Sequence, residues 1–91
     1  MVDEFKLNGD KARGLEADAF LNSPVFKTAF AKLEAEYLGV LRTSKPSERE
    51  AREEAYFALR SLDKLRDDLR TIIVNGRLAE KQQGLLDRFR I

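Results

Sequence analysis

Apolar residues recur at steps of three and four on both sides of a short proline-containing break, and this spacing restricts most of the chain to helices. Before the break the spaced residues are Phe26, Phe30, Leu33, Tyr37, Val40 and Leu41. They line one stripe of an α-helix. Ser23 can cap that helix with its hydroxyl, and Pro24 suits the first turn because its missing N–H costs nothing there. The sequence therefore predicts a helix over residues 24–42.

The break is a polar stretch that ends at Pro46, which disfavours helical geometry at the residue before it. Ser47 and Glu50 then have capping-box spacing, in which each side chain can bond the other residue's backbone N–H. A second apolar arc follows, formed by Ala51, Ala55, Ala58, Leu59, Leu62, Leu65, Leu69, Ile72 and Ile73. Asn75 and Gly76 are typical of a left-handed helix stop. We therefore predict a second long helix over residues 48–74.

A connection of about five residues favours antiparallel packing of the two long helices, with their apolar stripes facing each other. The predicted fold is all-α, an antiparallel helical hairpin with a short N-terminal helix and a short C-terminal helical tail. The N-terminal helix is expected over residues 10–21, weakened by Gly14. Residues 1–9 show no periodicity and are predicted to be mobile unless Phe5 or Leu7 docks.

Length and composition exclude several classes of protein. Ninety-one residues suit a single domain, and the net charge of +1 provides no global field toward nucleic acid or anionic membranes. The chain has no cysteine and no histidine, which rules out disulfides, thiolate or imidazole zinc sites and histidine acid-base catalysis. No apolar run approaches the ~20 residues of a membrane span, and the acidic start lacks signal-peptide features. We expect a cytoplasmic protein with no membrane partner.

Carboxylates are abundant, but their pattern does not indicate catalysis. Asp63, Asp67 and Asp68 alternate with lysine and arginine on the second long helix, which is typical of a solvated face. Phosphate-binding glycine loops and EF-hand spacing are absent from the sequence. We predict no catalytic residue, no cofactor and no metal ligand, and therefore a protein that is not an enzyme.

Three apolar residues fall outside the predicted stripes. Phe57 points almost opposite the core arc of its helix, Tyr56 points to the side, and Leu38 is displaced from the stripe of the first long helix. Phe57 could be covered by the chain's own termini, through Phe5 or Phe89, or by another subunit, or it could be an exposed aromatic without a role. We select Leu38, Tyr56 and Phe57 as candidate partner-binding residues.

Basic residues gather at two places and support a nucleic-acid alternative. Arg42 and Lys45 lie near the hairpin tip, where neighbouring glutamates largely cancel their field. The tail carries cations with fewer opposing charges: Arg77, Lys81, Arg88 and Arg90. No helix-turn-helix can be drawn, since the connection favours antiparallel packing.

Four stretches of the chain carry a resemblance to a known group. They are Phe20-Leu21-Asn22-Ser23-Pro24-Val25-Phe26, Leu33-Glu34-Ala35-Glu36-Tyr37, Arg49-Glu50-Ala51-Arg52-Glu53-Glu54-Ala55-Tyr56 and Leu69-Arg70-Thr71-Ile72-Ile73-Val74-Asn75-Gly76-Arg77-Leu78-Ala79. Together they resemble short helical proteins that tailed phages and prophages encode near their head and packaging genes. The resemblance implies an oligomeric accessory protein of virion assembly or DNA packaging, with a portal, head or packaging protein as partner and possible incorporation in the virion.

These observations lead to one hypothesis and two alternatives. The leading hypothesis is a non-enzymatic, oligomeric protein-protein interaction module, used as a phage-type structural or assembly accessory. Homo-oligomerisation is favoured because a small helical hairpin without disulfides or metal buries little surface. The alternatives are a small DNA-binding packaging protein, similar to a terminase small subunit, and a small inhibitor of a host enzyme.

Overall fold

The computed structural model describes residues 3–90, which form three α-helices. In chain order these are α1 (Glu4–Leu21), α2 (Pro24–Thr43) and α3 (Arg49–Phe89). Residues 3–90 contain no β-strand, which confirms the all-α class. The chain divides into two compact units that share α3. The α1 unit comprises the residues up to Leu21 and those from Asp68 onward, and the α2 unit comprises Asn22–Asp67.

Helix α1 begins at Glu4, well before the start that the sequence pattern indicated at Asp10. Asp3 precedes the helix, and its side chain accepts a hydrogen bond from the Lys6 backbone N–H at 3.2 Å. Leu7 is only 6% exposed, so it docks, whereas Phe5 remains 88% exposed. The segment predicted to be mobile is therefore helical from Glu4 onward, and Met1 and Val2 lie outside the described residues.

Helix α2 starts at the predicted residue and ends one residue later than predicted. The Ser23 hydroxyl accepts a hydrogen bond from the Phe26 N–H at 3.3 Å, and Pro24 occupies the first turn. At the other end the Ser44 N–H donates to the Val40 carbonyl at 2.9 Å. Local capping chemistry thus accounts for both ends of this helix.

The connection from α2 to α3 is closed by residues other than the predicted capping box. The Lys45 N–H donates to a carboxylate oxygen of Glu48 at 3.1 Å. The Arg52 guanidinium donates to the carbonyls of Lys45 and Pro46, the latter at 3.1 Å. Helix α3 accordingly begins at Arg49, one residue later than predicted.

The predicted helix stop at Gly76 is wrong, because α3 continues without interruption to Phe89. Among the described residues no glycine has a positive φ, so Gly76 does not adopt the left-handed conformation of a helix cap. The tail predicted as a separate short helix is the last part of α3. Gly84 also lies inside α3, and Ile91 is outside the described residues.

Gly76 instead permits close packing of α1 on α3 within the α1 unit. A Cβ atom added to Gly76 would lie 2.8 Å from the Cα of Gly14, and one added to Gly14 would lie 2.9 Å from the Cα of Gly76. The Gln83 amide donates to the Asn8 side chain, so the two helices run antiparallel. The side chains buried in this unit are two large aliphatics, Leu7 and Ile73, and two alanines, Ala17 and Ala79.

In the α2 unit, Arg66 of α3 lies beside Phe30 and Glu34 of α2, and Arg52 lies beside the connection, so the two helices run antiparallel there. Phe30 is buried against the Arg66 guanidinium, which lies 4.2 Å from the ring centre. The same arginine is 3.7 Å from the Glu34 carboxylate. Leu65, which the apolar arc placed in the core, is exposed instead. On this part of α3, Ala55 is buried and Leu62 and Arg66 are half-buried. Arg66 can take the place of an apolar residue against Phe30 because the long aliphatic stem of arginine can cover an aromatic ring.

Candidate interaction surfaces

The chain leaves much of its apolar surface accessible. Its accessible surface area is 7361 Å², whereas a folded monomer of 10.4 kDa is expected to expose about 5,400 Å². No side chain in the part of the chain that the structure describes is less than 2% exposed. The exposed large apolar residues are Phe5, Leu15, Phe20, Val25, Leu33, Leu38, Val40, Tyr56, Phe57, Leu65, Ile72, Val74, Leu78, Leu85 and Phe89.

One apolar surface lies on α3 in the α2 unit and contains two of the predicted partner-binding residues. The rings of Tyr56 and Phe57 have centroids 5.7 Å apart and meet edge to face at 65°. Phe57 keeps 66% of its surface exposed. Together with Leu41, Arg49, Arg52 and Glu53, the two aromatics line a shallow depression. We refer to this depression as the aromatic surface.

The third predicted partner-binding residue is exposed but does not line the aromatic surface. Helix α2 contributes Leu41 to that depression, whereas Leu38 is absent from its lining. Helical periodicity identified Tyr56 and Phe57 because both depart from the core arc of α3. Leu41 was assigned to the core stripe, and its position at the edge of the depression follows only from the packing of α2 on α3.

A second apolar surface lies on α3 in the α1 unit and was missed by sequence reasoning. At about 100° per residue, half of the helix circumference between Thr71 and Phe89 bears no charged residue. Ala79 lies at the border of this half and is buried. The other residues, which we call the charge-free face, are Thr71, Ile72, Val74, Asn75, Leu78, Gln82, Leu85, Leu86 and Phe89. The pattern is visible only if the helix is continued through Gly76.

The basic residues of the tail have two different environments. Arg77, Lys81 and Arg88 are exposed and lie within about 40° of one another around α3, so they form one basic stripe. Arg90 instead pairs with the Glu4 carboxylate, and its guanidinium is 3.7 Å from a carboxylate oxygen of Asp87. Three of the four predicted tail cations are therefore brought together, and Arg90 is neutralised by carboxylates.

The cations predicted at the hairpin tip lie among carboxylates and backbone contacts. Arg42 is exposed in the last turn of α2, and Lys45 lies in the connection that Glu48 and Arg52 close. The Arg49 guanidinium is 3.0 Å from the Glu53 carboxylate. These pairs weaken the positive potential at the tip, as the alternation of charges in the sequence predicted.

The described part of the chain offers neither a metal site nor a helix that could span a membrane. Between residues 3 and 90 no group of three or more acidic side chains is arranged to hold a metal ion. None of the three helices, over the same range, has a segment long and apolar enough to cross a bilayer. Comparison with protein-family models, curated proteins and solved structures finds no significant match for this chain.

Proposed function

We propose that this protein is a non-enzymatic interaction module that works as an oligomer and presents helix surfaces to copies of itself and to a larger protein. The observation that carries this proposal is the apolar area that folding leaves exposed. Full burial of a leucine or phenylalanine side chain is favourable by roughly 1.5–3 kcal/mol. A chain with this many unburied apolar side chains therefore gains free energy when other helices cover them.

The architecture of each unit explains why so much apolar surface remains. Two antiparallel helices can bury only the side of each helix that faces the other, and stable helical folds usually add a further layer. In the α1 unit this shared side is occupied by Leu7, Gly14, Gly76 and Ala79. A second copy of the chain would supply the missing layer.

The aromatic surface supports contact with another protein chain, either a second copy or a larger protein. Tyrosine and phenylalanine are enriched where protein interfaces are anchored, and here two such rings stand beside arginine side chains at the rim of a depression. A role in phage virion assembly or DNA packaging is supported only by the resemblance to short phage proteins. It remains part of the proposal, with a portal, head or packaging protein as the partner.

The mass of the protein in solution tests the proposal. We expect light scattering and sedimentation velocity to give a whole multiple of the 10.4 kDa monomer mass. We also expect Phe57→Glu to lower that mass without changing the far-ultraviolet circular dichroism, because the ring is exposed and contributes little to the fold. Ala35→Glu, which adds the same charge at another exposed position, is the matched control and should keep the wild-type mass.

Two results would contradict these expectations in different ways. A wild-type mass of 10.4 kDa at every concentration would remove the oligomeric module. An oligomer whose mass is unchanged by Phe57→Glu would remove the aromatic surface from the contacts between copies.

The basic stripe favours DNA binding as a second candidate function. Arg77, Lys81 and Arg88 span about 16 Å along α3 and carry a single sign of charge, as phosphate-binding surfaces do. The three residues all follow Gly76, and the helical geometry of the last part of α3 places them on one side.

Salt dependence tests this second candidate. If the three cations contact phosphates, the logarithm of the binding constant for duplex DNA should fall with the logarithm of salt concentration with a slope of about −2.7. Lys81→Gln should make the slope shallower by about one. Arg90→Gln is the control and should leave the slope unchanged, because Arg90 already pairs with Glu4 and Asp87. Absence of duplex binding at low salt would eliminate this function.

A further inference from the structure

We infer that a second copy of this chain packs on the charge-free face of α3, between Thr71 and Phe89. The inference rests on the proposed self-association and assigns a further contact surface to it, in addition to the aromatic surface. This surface differs from the aromatic surface, which lies in the other unit. The partner is the same face of a second copy, and a two-fold axis relates the two copies.

Charge is distributed unevenly around the last part of α3. Every charged residue between Thr71 and Phe89 lies within an arc of about 120°. On that side Arg77 and Glu80 line a cleft together with Lys11 and Asp18 of α1. The charge-free face extends for about 27 Å along the helix. Surface helices of monomeric proteins normally carry charged residues on the side that faces water.

Five large apolar side chains of the charge-free face are exposed. The five large apolar side chains Ile72, Val74, Leu78, Leu85 and Phe89 retain between 36% and 81% of their surface exposed. Helix α1 covers the adjoining side of α3, centred on Gly76, where Ile73, Gly76 and Ala79 are buried. Contiguous apolar surface of this kind usually marks an interface with another protein.

Surface area and charge identify the occupant. The chain exposes about 2,000 Å² more than a folded monomer of its mass. Obligate homodimers bury about 2,000–5,000 Å² in total, so each subunit loses about half of that area. The excess exposed area of this chain falls within the area that one subunit would bury in such an interface. A net charge of +1 imposes little repulsion between copies, and a charge-free helix face is complementary to an identical face.

The test combines two double variants that change the net charge equally. Leu78→Glu with Leu85→Glu places carboxylates on the charge-free face. Lys81→Gln with Arg88→Gln removes two cations from the basic stripe, which lies about 100–120° around α3 from the centre of that face. Each pair changes the net charge from +1 to −1. We expect sedimentation velocity to show at least a twofold loss of mass for the leucine pair. The control pair should retain the wild-type mass, and both should retain wild-type helicity.

A second measurement keeps the assignment testable if the leucine pair fails to fold. The chain has no cysteine, so single cysteines can be introduced as unique cross-linking sites. Gln82→Cys lies at the centre of the charge-free face, whereas Lys81→Cys lies about 100° away around α3. A short bismaleimide should convert the Gln82 variant to covalent dimers and leave the Lys81 variant monomeric on denaturing gels.

The outcomes separate this inference from the proposed function. A wild-type oligomer that keeps its mass in the folded leucine variant, or equal cross-linking at both cysteines, would overturn the assignment of the face and leave self-association intact. A wild-type protein that is monomeric at all concentrations would overturn both.

Discussion

Replacement of Gly76 by leucine is expected to lower the free energy of unfolding by about 3 kcal/mol. Any side chain at this position begins with a Cβ atom 2.8 Å from the Cα of Gly14 and 3.0 Å from the carbonyl oxygen of Asp10. Both neighbours are backbone atoms, so the clash can be relieved only if α1 moves away from α3. That movement would also expose the buried side chains of Leu7 and Ala17.

Thermal unfolding with a matched glycine control checks this expectation. Gly84 lies in the same helix, is exposed and has no atom within 4 Å of an added Cβ. Gly84→Ala should therefore raise stability by about 0.5–1 kcal/mol through helix propensity alone. All variants should be compared at one protein concentration, because association adds to apparent stability. A Gly76→Leu protein as stable as the wild type would contradict the close helix contact.

Removal of the Phe30 ring is expected to produce a loss of similar or larger size in the α2 unit. Phe30→Ala should cost about 3–5 kcal/mol, as is usual for buried aromatic residues. The ring is 6% exposed, lies under the Arg66 guanidinium at 4.2 Å, and has its centroid 5.6 Å from that of Phe26. Its loss leaves a cavity and removes the partner of a guanidinium group.

Urea unfolding of two phenylalanine variants measures this contribution. Phe57→Ala removes the same ring from an exposed position of the same unit, so it should change stability by no more than about 0.5 kcal/mol when the protein is held monomeric by dilution. Equal losses for Phe30→Ala and Phe57→Ala would show that Phe30 is not the centre of this unit.

Sequence reasoning was most successful where structure depends on neighbouring residues. The Ser23 cap, Pro24 in the first turn and the break before Pro46 placed α2 to within one residue. These signals act within one helical turn, so no knowledge of distant contacts is needed to interpret them. Tyr56 and Phe57 were identified as surface residues for the same reason, because helical periodicity alone places them away from the core arc of α3.

The prediction of a helix stop at Gly76 failed because glycine has two structural uses. Glycine can end a helix in a left-handed conformation or allow two helices to approach closely. Gly14 and Gly76 have the second use, which becomes apparent only when both are known to lie at the same contact. The false stop at Gly76 also concealed the charge-free face, since that face depends on one helical register continuing through Gly76.

The sequence by itself determined that this protein is helical, that α2 begins at Pro24, and that chemistry requiring histidine or cysteine is excluded. These properties follow from composition and from interactions between residues close in the chain. The tertiary structure decided that α3 extends to Phe89, that Arg66 rather than Leu65 packs on Phe30, and which apolar residues face water. These outcomes depend on contacts between residues far apart in sequence, whose packing overrides weak local preferences.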